Sequence, residues 1–280
     1  MTFDFSNILD KKPVIMGVLN VTPDSFSDGG SFYNSSNSKL TKAYDYAQSM
    51  ISAGAKIIDI GGESTRPGAK SVSIQEELDR VIPIIEKLSK DSDCIISLDS
   101  SSPQVMLAAA EAGVGLLNDV RSFRREGALD VALKTGLPIV LMHMQGEPQN
   151  MQKEPTYDNV VEEVRSFLLN RVNECQSIGI EKNKIIIDPG FGFGKTLTNN
   201  FELMNNLDSL CLDNIPLLVG TSRKSMIGTV LNKEPIERLY GGLALTTLAI
   251  QKGANIIRTH DVAPTKDVID MIYALNTTKR

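Results

Sequence analysis

The sequence predicts a (β/α)8 barrel, in which eight parallel strands form the centre and helices cover the outside. Eight short apolar runs recur along the 280 residues, and segments with a helical period lie between them. Most of the runs end in a polar or ionisable residue. One such barrel commonly needs about 250 residues, so the length suits a single domain spanning 1–280 with a short N-terminal extension. A doubly wound open sheet is the alternative, because periodicity does not show whether a sheet closes.

The predicted strands are runs of Val, Ile and Leu with few polar interruptions. Such runs are typical of parallel strands, because helices bury both faces of a parallel sheet. The predicted strands cover residues 14–20, 57–62, 94–99, 115–119, 138–143, 185–190, 217–222 and 256–261.

The segments between the strands predict helices. Apolar residues recur there at the 3.6-residue spacing that places them on one helix face. The spacing is clearest in segments 40–51, 78–88 and 160–172. Segment 108–113 ends in Gly113, which predicts a helix that stops at a left-handed glycine.

The charge balance and the cysteines argue against several kinds of partner and cellular location. The net charge is −5, from 29 basic and 34 acidic residues, which argues against nucleic acid or an anionic membrane as the main partner. The three cysteines are odd in number and lack metal-ligand spacing, so we expect reduced thiols in a cytosolic protein. Neither a signal peptide nor an apolar run long enough for a membrane helix is evident. We therefore expect a cytoplasmic protein.

The ends of the predicted strands carry most of the candidate functional residues. In a barrel all strands open at their carboxyl ends on one face, where the active site lies. Some of these polar residues would cap helices instead, and Asp119 and Ser225 are the best candidates for that role. Asp59 lies inside a strand, which predicts a partnered group of the barrel core. The residues at the strand ends are Asn20, Glu63, Asp99, Asn118, Asp119, His143, Asp188, Ser222, Lys224, Arg258 and His260.

The stretch DPGFGFGKT at 188–196 looks like a phosphate-binding loop but fits neither common pattern. A P-loop requires a glycine where Pro189 stands, and the spacing of Gly190, Gly192 and Gly194 does not match G-x-G-x-x-G. We interpret the glycines as a tight turn that needs positive φ. Asp188, in front of the turn, is then the functional residue of the stretch.

A series of motifs resembles those of the dihydropteroate synthases, in the same order along the chain. The motifs are MGVLNVTPDSFSDGG, IIDIGGESTRPGA, NDVRSF, LMHMQGEP, DPGFGFGKT, GTSRKSMIG and IIRTHDV. The resemblance covers about residues 14–262. One departure is SLDS at 97–100, where the family more often has Ser-Ile-Asp-Thr, but Asp99 is kept.

The resemblance implies a barrel enzyme of folate biosynthesis, usually a homodimer, that uses Mg2+ and is the target of sulfonamides. The reaction would join p-aminobenzoate to 6-hydroxymethyl-7,8-dihydropterin diphosphate and release diphosphate. Asp99, Asn118, Asp188 and Lys224 resemble the pterin contacts. The pterin edge presents two parallel N–H donors, which one buried carboxylate such as Asp188 can accept together.

The resemblance also implies a site for the diphosphate and its metal. Thr65, Arg258 and His260 would bind the leaving diphosphate, because cations and hydrogen-bond donors stabilise the charge that develops on it. Asn20 resembles a ligand of Mg2+, which takes most of its other ligands from water and substrate. The residues implied in catalysis are Asp28, Arg66, Lys224, Arg258 and His260.

The p-aminobenzoate pocket is expected beside the pterin. Ser222 precedes a predicted helix, whose N-terminus would favour the carboxylate of p-aminobenzoate. Loops 22–38 and 63–73 are expected to be lids that bring Asp28 and Arg66 to the reacting centre. The implied contacts of p-aminobenzoate are Thr65, Arg66, Pro67, Phe191 and Ser222.

The chemistry favours an SN1-like route, because loss of diphosphate would leave a cation that the electron-rich pterin ring stabilises. No Ser-His-Asp or Cys-His arrangement is evident, and this route needs no strong base. Two alternatives are a pterin-binding methyltransferase domain, which would need a corrinoid partner, and a non-catalytic paralogue that binds pterins.

Overall fold

A computed structural model of the chain describes residues 12–22, 36–63, 72–147 and 150–278, with only the backbone for 36–38. Strands and helices alternate in these residues, except that two helices lie between the last two strands. The strands are β1 Val14–Asn20, β2 Ile57–Gly61, β3 Ile95–Asp99, β4 Leu116–Asp119, β5 Ile139–Met142, β6 Ile185–Asp188, β7 Leu218–Val219 and β8 Ile256–Thr259. The helices are α1 Ser36–Ser52, α2 Ile74–Asp91, α3 Pro103–Ala112, α4 Ala128–Thr135, α5 Val160–Ser177, α6 Leu197–Asn205, α7 Ser225–Leu231, α8 Leu239–Gln251 and α9 Val262–Thr277.

The strands close into a barrel. They are hydrogen-bonded in the order β6-β5-β4-β3-β2-β1-β8-β7, and every pairing is parallel. The two end strands meet through one parallel bridge between Ile187 and Leu217, and the amide of Ile187 donates to the carbonyl of Pro216 at 3.0 Å. This contact confirms the predicted barrel and excludes the open sheet.

One apolar layer fills the barrel near the amino ends of its strands. Nearly every strand contributes a buried residue to it: Met16, Ile57, Leu116, Val140, Ile186, Leu218 and Ile256, with Ile95 packed against them. Side chains alternate between the two faces of a strand, so the residue two positions later points to the same interior. Along β2, β4, β6 and β8 those residues are Asp59, Asn118, Asp188 and Arg258. The alternation alone therefore places a polar layer directly above the apolar one.

The predicted helices are confirmed, including the stop of α3 at Gly113, which has φ 110°. Most of the predicted strands end one to three residues earlier than expected, because the chain turns away once it leaves the sheet. The largest difference is β7, where only Leu218–Val219 of the predicted 217–222 is a strand. Within the described residues, every helix is too short or too polar to cross a membrane.

Candidate active site

A network of charged and polar groups lies in the polar layer of the barrel. Asp59 is fully buried and accepts hydrogen bonds from Ser97 Oγ at 2.6 Å, Asn118 Nδ2 at 3.1 Å and Arg258 Nε at 2.7 Å. Arg258 also donates from Nη2 to Asp99 at 2.8 Å. Asp59 is thus the partnered core group that the sequence predicts, and it fixes the orientation of both Asn118 and Arg258.

Arg258 forms salt bridges with two carboxylates in this network, those of Asp59 and Asp99. Burial raises the pKa of Asp99 to about 7, with Arg258 opposing the shift and Asp59 adding to it. Burial lowers the pKa of Arg258, but Asp59 and Asp99 outweigh it and the net shift is upward. Arg258 therefore stays charged, whereas the charge of Asp99 depends on pH near neutrality.

Asp188 lies at the end of β6, and Lys224 lies in the turn between β7 and α7. Asp188 is 8% exposed and accepts a hydrogen bond from the amide of Gly190 at 2.7 Å. Burial raises the pKa of Asp188, and the Gly190 amide, Lys224 and Arg258 oppose that shift. Burial also lowers the pKa of Lys224 to about 7, against the attraction of Asp188. Lys224 Nζ donates to the carbonyl of Phe191, three residues after Asp188, and β8, which carries Arg258, lies two strands from β6. Residues from β6, the β7–α7 turn and β8 therefore lie at the same end of the barrel.

The glycine-rich stretch after β6 is a tight turn, as predicted. Gly190, Gly192 and Gly194 have φ values of 67°, 78° and 59°. A Cβ atom at Gly190 would overlap the carbonyl oxygen of His143, and one at Gly194 would overlap that of Gln145. The turn therefore needs glycine both for its backbone conformation and for its close approach to the segment after β5.

Ser222 and His260 contact each other at the same end of the barrel. Ser222 Oγ accepts from the amide of His260 at 3.2 Å and lies 3.2 Å from its Nδ1. Burial lowers the pKa of His260 to about 4, and the positive charge of Arg258 lowers it further. His260 is therefore neutral at pH 7, and it can offer a hydrogen bond but not a charge to an anion.

Three predictions about helix starts are wrong, those for Ser222, Ser225 and Asp119. Helix α7 begins at Ser225 with Lys224 as its N-cap, so Ser222 lies three residues outside the helix and Ser225 is not a cap. The reason is the backbone of Arg223, whose φ of 59° reverses the chain between Ser222 and the helix. Asp119 caps a turn rather than a helix, since it accepts from the amides of Arg121 and Phe123.

The two phenylalanines of the glycine turn have different environments. Phe191, which the resemblance implies as a p-aminobenzoate contact, is 1% exposed and packs in the core. Its carbonyl accepts from Lys224 Nζ at 2.5 Å. Phe193 is half-buried, and its ring centroid lies 4.0 Å from the same Nζ. In this conformation Phe193, which the sequence does not assign to the site, is the ring beside Lys224.

Asn20, the residue that the resemblance implies as a Mg2+ ligand, lies near Asp99 at the end of the barrel strands. It ends β1 beside Gly61 of β2, and a Cβ at Gly61 would lie 3.6 Å from both Asn20 Oδ1 and Asp99 Cβ, so Asn20 and Asp99 flank this glycine. Among the residues that the structure describes, no group of three His, Cys, Asp or Glu could hold a metal ion. Amide and carboxylate oxygens suit Mg2+, but the remaining ligands would have to come from water and substrate.

Four predicted site residues lie outside the described part of the chain: Asp28, Thr65, Arg66 and Pro67. The same holds for most of the two predicted lids, since residues 23–35 and 64–71 are not described. Their roles stay predictions.

Comparison with known proteins gives consistent matches over nearly the whole chain. The family model described as "Pterin binding enzyme" matches residues 16–260. Dihydropteroate synthase of Escherichia coli (strain K12) is 49% identical over 267 residues, which cover 95% of this chain and 93% of that protein. The Haemophilus influenzae dihydropteroate synthase is 51% identical over 262 residues, which cover 94% of each chain.

Solved structures agree with these relatives. The Yersinia pestis dihydropteroate synthase in complex with a sulfonamide drug superposes with a TM-score of 0.90 at 48% identity, and covers 99% of this chain and 98% of that one. The Xanthomonas albilineans dihydropteroate synthase in complex with 7,8-dihydropteroate superposes with a TM-score of 0.86 at 41% identity, over 97% and 96% of the two chains.

Proposed function

We propose, from the premise that this chain belongs to the pterin-binding enzymes as a member of the dihydropteroate synthase family, that it makes 7,8-dihydropteroate in folate biosynthesis. The substrates are p-aminobenzoate and 6-hydroxymethyl-7,8-dihydropterin diphosphate, and the second product is diphosphate. The observation that carries the proposal is that Asp188 on β6, Lys224 after β7 and Arg258 on β8 lie at the same end of the barrel. The carboxylate of Asp188 and the amine of Lys224 can form hydrogen bonds with the pterin ring. The guanidinium of Arg258 can bind the anionic diphosphate.

Asp188 and Lys224 bind the pterin ring in this proposal. One oxygen of Asp188 accepts from Gly190, and the carboxylate keeps further lone pairs for the two parallel N–H donors of the pterin. Lys224 donates to the ring oxygen and nitrogen, and Asn118 supplies an amide that Asp59 orients. Because these groups are buried, each hydrogen bond to the ring is stronger than it would be in water.

The diphosphate lies at the end of β8 in this proposal, two strands from Asp188 on β6. Arg258 carries the charge and neutral His260 a hydrogen bond, and both stabilise the leaving group as its negative charge grows. Asn20 and the substrate oxygens would hold Mg2+, which supplies a Lewis acid for the diphosphate oxygens when it is bound. Ser222, together with Thr65, Arg66 and Pro67, would bind p-aminobenzoate, and this pocket is also the proposed target of sulfonamides.

Diphosphate release that depends on p-aminobenzoate is the test of the proposed function. We expect it with Mg2+ present and expect a chelator to abolish it. A methyltransferase domain would instead need a corrinoid partner, and a non-catalytic paralogue would bind the pterin without turnover. Neither alternative is supported by the relatives, which are dihydropteroate synthases over almost their full length.

The SN1-like route makes a separate prediction. If the bond to diphosphate breaks before p-aminobenzoate attacks, oxygen isotopes should exchange between the bridging and non-bridging positions of the diphosphate. Positional isotope exchange in the substrate recovered from incubations without p-aminobenzoate measures this. A concerted route is indicated if no exchange occurs in incubations where the substrate is slowly cleaved.

We also propose a homodimer, formed through an apolar surface on α7, α8 and the turn between them. This surface consists of exposed apolar residues that a monomer would leave in water: Val230, Leu231, Ile236, Tyr240 and Leu248. Ile236 is 72% exposed and Tyr240 is 77% exposed. Several exposed apolar residues on neighbouring elements favour an interaction site.

The double variant Ile236→Glu with Tyr240→Glu is expected to be monomeric, because two buried carboxylates at each side of a symmetric contact are costly. Sedimentation velocity measures the mass of the variant and of the wild type. The control is Leu275→Glu with Met271→Glu, which introduces the same two charges at exposed residues of α9, 70% and 63% exposed. A double variant with the wild-type mass would contradict this surface.

A cytoplasmic location is part of the proposal. Its support is the free state of Cys94, Cys175 and Cys211, since free thiols are typical of reducing compartments.

A further inference from the structure

The glycine turn after β6 is held by donors from several parts of the chain. Every carbonyl from Gly190 to Gly194 accepts a hydrogen bond from a side chain. Lys195 Nζ donates to Gly190 at 2.9 Å and to Phe193 at 3.0 Å. The remaining donors are Lys224 to Phe191, Gln152 to Gly192 at 2.7 Å, and Tyr157 to Gly194 at 2.6 Å.

Lys195 makes two of these five hydrogen bonds, and each of the other donors makes one. Its side chain is 3% exposed, although lysine is almost never buried unless it is paired. Besides the two turn carbonyls, Nζ lies 2.9 Å from His143 Nδ1 and 3.3 Å from the His143 carbonyl. It therefore joins the turn to the segment after β5, without a carboxylate among its hydrogen-bond partners.

The position of the glycine turn determines where the two proposed pterin contacts, Asp188 and Lys224, place their polar atoms. The amide of Gly190 donates to Asp188 Oδ1, so the place of Gly190 sets the orientation of the carboxylate. The carbonyl of Phe191 accepts from Lys224 Nζ, so the place of Phe191 sets the position of the amine. Lys195 binds the carbonyls at either end of the Gly190–Phe193 segment, and it forms no hydrogen bond with Asp188 or Lys224.

We propose that Lys195 is a positioning residue for pterin recognition, which holds the glycine turn so that Asp188 and Lys224 present their polar atoms to the ring. The inference rests on the proposed function. It assigns Lys195 no part in bond breaking and no contact with substrate.

The electrostatic surroundings of Lys195 agree with this role. Burial lowers its pKa to about 7, while Asp188 raises it and Lys224 lowers it further. Burial and the charge of Lys195 lower the pKa of His143 to about 2, so His143 is neutral. An ammonium group has three N–H donors for the four acceptors around it. The charged form is thus fully hydrogen-bonded, and the cation also favours the ionised form of Asp188.

The test is Lys195→Met, which keeps the length of the side chain and removes its donors. We expect Kd for 6-hydroxymethylpterin, measured by its fluorescence, to rise about tenfold, together with KM for the pterin diphosphate. We expect kcat, and KM for p-aminobenzoate at saturating pterin, to stay within about threefold of wild type, because the diphosphate and p-aminobenzoate groups keep their positions.

Thr196→Ala is the matched control. Thr196 is exposed and its hydroxyl caps α6 through the amide of Asn199, so its loss weakens the neighbouring helix without touching the turn. We expect a lower Tm with an unchanged pterin Kd. If Lys195→Met does not fold, Lys195→Gln retains a shorter donor and should give an intermediate Kd.

The outcomes separate the inference from the proposed function. A wild-type protein without p-aminobenzoate-dependent diphosphate release overturns the proposed function. An active wild type with a folded Lys195 variant of unchanged pterin Kd overturns the positioning role alone. Loss of folding in both Lys195 variants also overturns it, because Lys195 would then serve the stability of the fold.

Discussion

Asp188→Asn is expected to weaken pterin binding by about 100-fold, which corresponds to about 2.7 kcal/mol. The amide has one acceptor and one donor group, and the Gly190 amide holds the acceptor side. The NH2 group then faces the N–H donors of the pterin. Donors on both sides of this buried contact are left without an acceptor. Kd for 6-hydroxymethylpterin and KM for the pterin diphosphate measure the effect, and kcat at saturation should change less.

Asp213→Asn is the control for the loss of charge, since Asp213 is exposed and precedes β7 at the far end of the barrel. The pH dependence provides a second check. Burial raises the pKa of Asp188, so its carboxylate takes up a proton at a higher pH than an exposed aspartate does. Pterin affinity of the wild type should therefore fall as the pH is lowered, and that of Asp188→Asn should fall less. An Asp188→Asn variant that binds the pterin within threefold of wild type would contradict the proposed contact.

The polar layer of the site is predictable from sequence because strands alternate. On β2, β4, β6 and β8 an apolar residue is followed two positions later by a polar or ionisable one, as Ile186 is followed by Asp188 and Ile256 by Arg258. The C-terminal face of a barrel then collects those groups whatever the details of the loops. The partnered state of Asp59 follows from the same reasoning, since a carboxylate inside a closed barrel must be hydrogen-bonded.

The residues in the turns could not be placed in the same way. The positive φ of Arg223 separates Ser222 from helix α7, and no periodic pattern signals such a reversal. The choice between Phe191 and Phe193 depends on which way the glycine turn bends. Lys195 follows the turn as a charged residue that a sequence pattern places at the surface, and only the carbonyls gathered around it show why it is buried.

Arg258→Ala is expected to have a larger effect than Asp188→Asn, because it reduces both catalytic activity and the stability of the fold. Without its guanidinium, Asp59 and Asp99 lose the cation that forms a salt bridge with each of them, and breaking a buried pair in this way costs about 3–5 kcal/mol. The diphosphate also loses its charged partner, and kcat should fall by about 100-fold or more. Urea unfolding measures the stability, and steady-state kinetics with diphosphate as product inhibitor measures the anion site.

The dependence on pH separates these two effects. The pKa of Asp99 is already raised above its ordinary value of 3.8, and removal of Arg258 raises it further. A raised folded-state pKa means that stability falls as the pH rises from the unfolded pKa to the folded one. The deficit of Arg258→Ala in the free energy of unfolding should therefore be smaller at pH 5 than at pH 8, while its kinetic defect persists at both. Arg258→Lys keeps the charge but cannot bind both carboxylates with a planar fork, so we expect it to recover stability more than activity. Equal deficits at both pH values would mean that Asp99 and Asp59 do not depend on this cation.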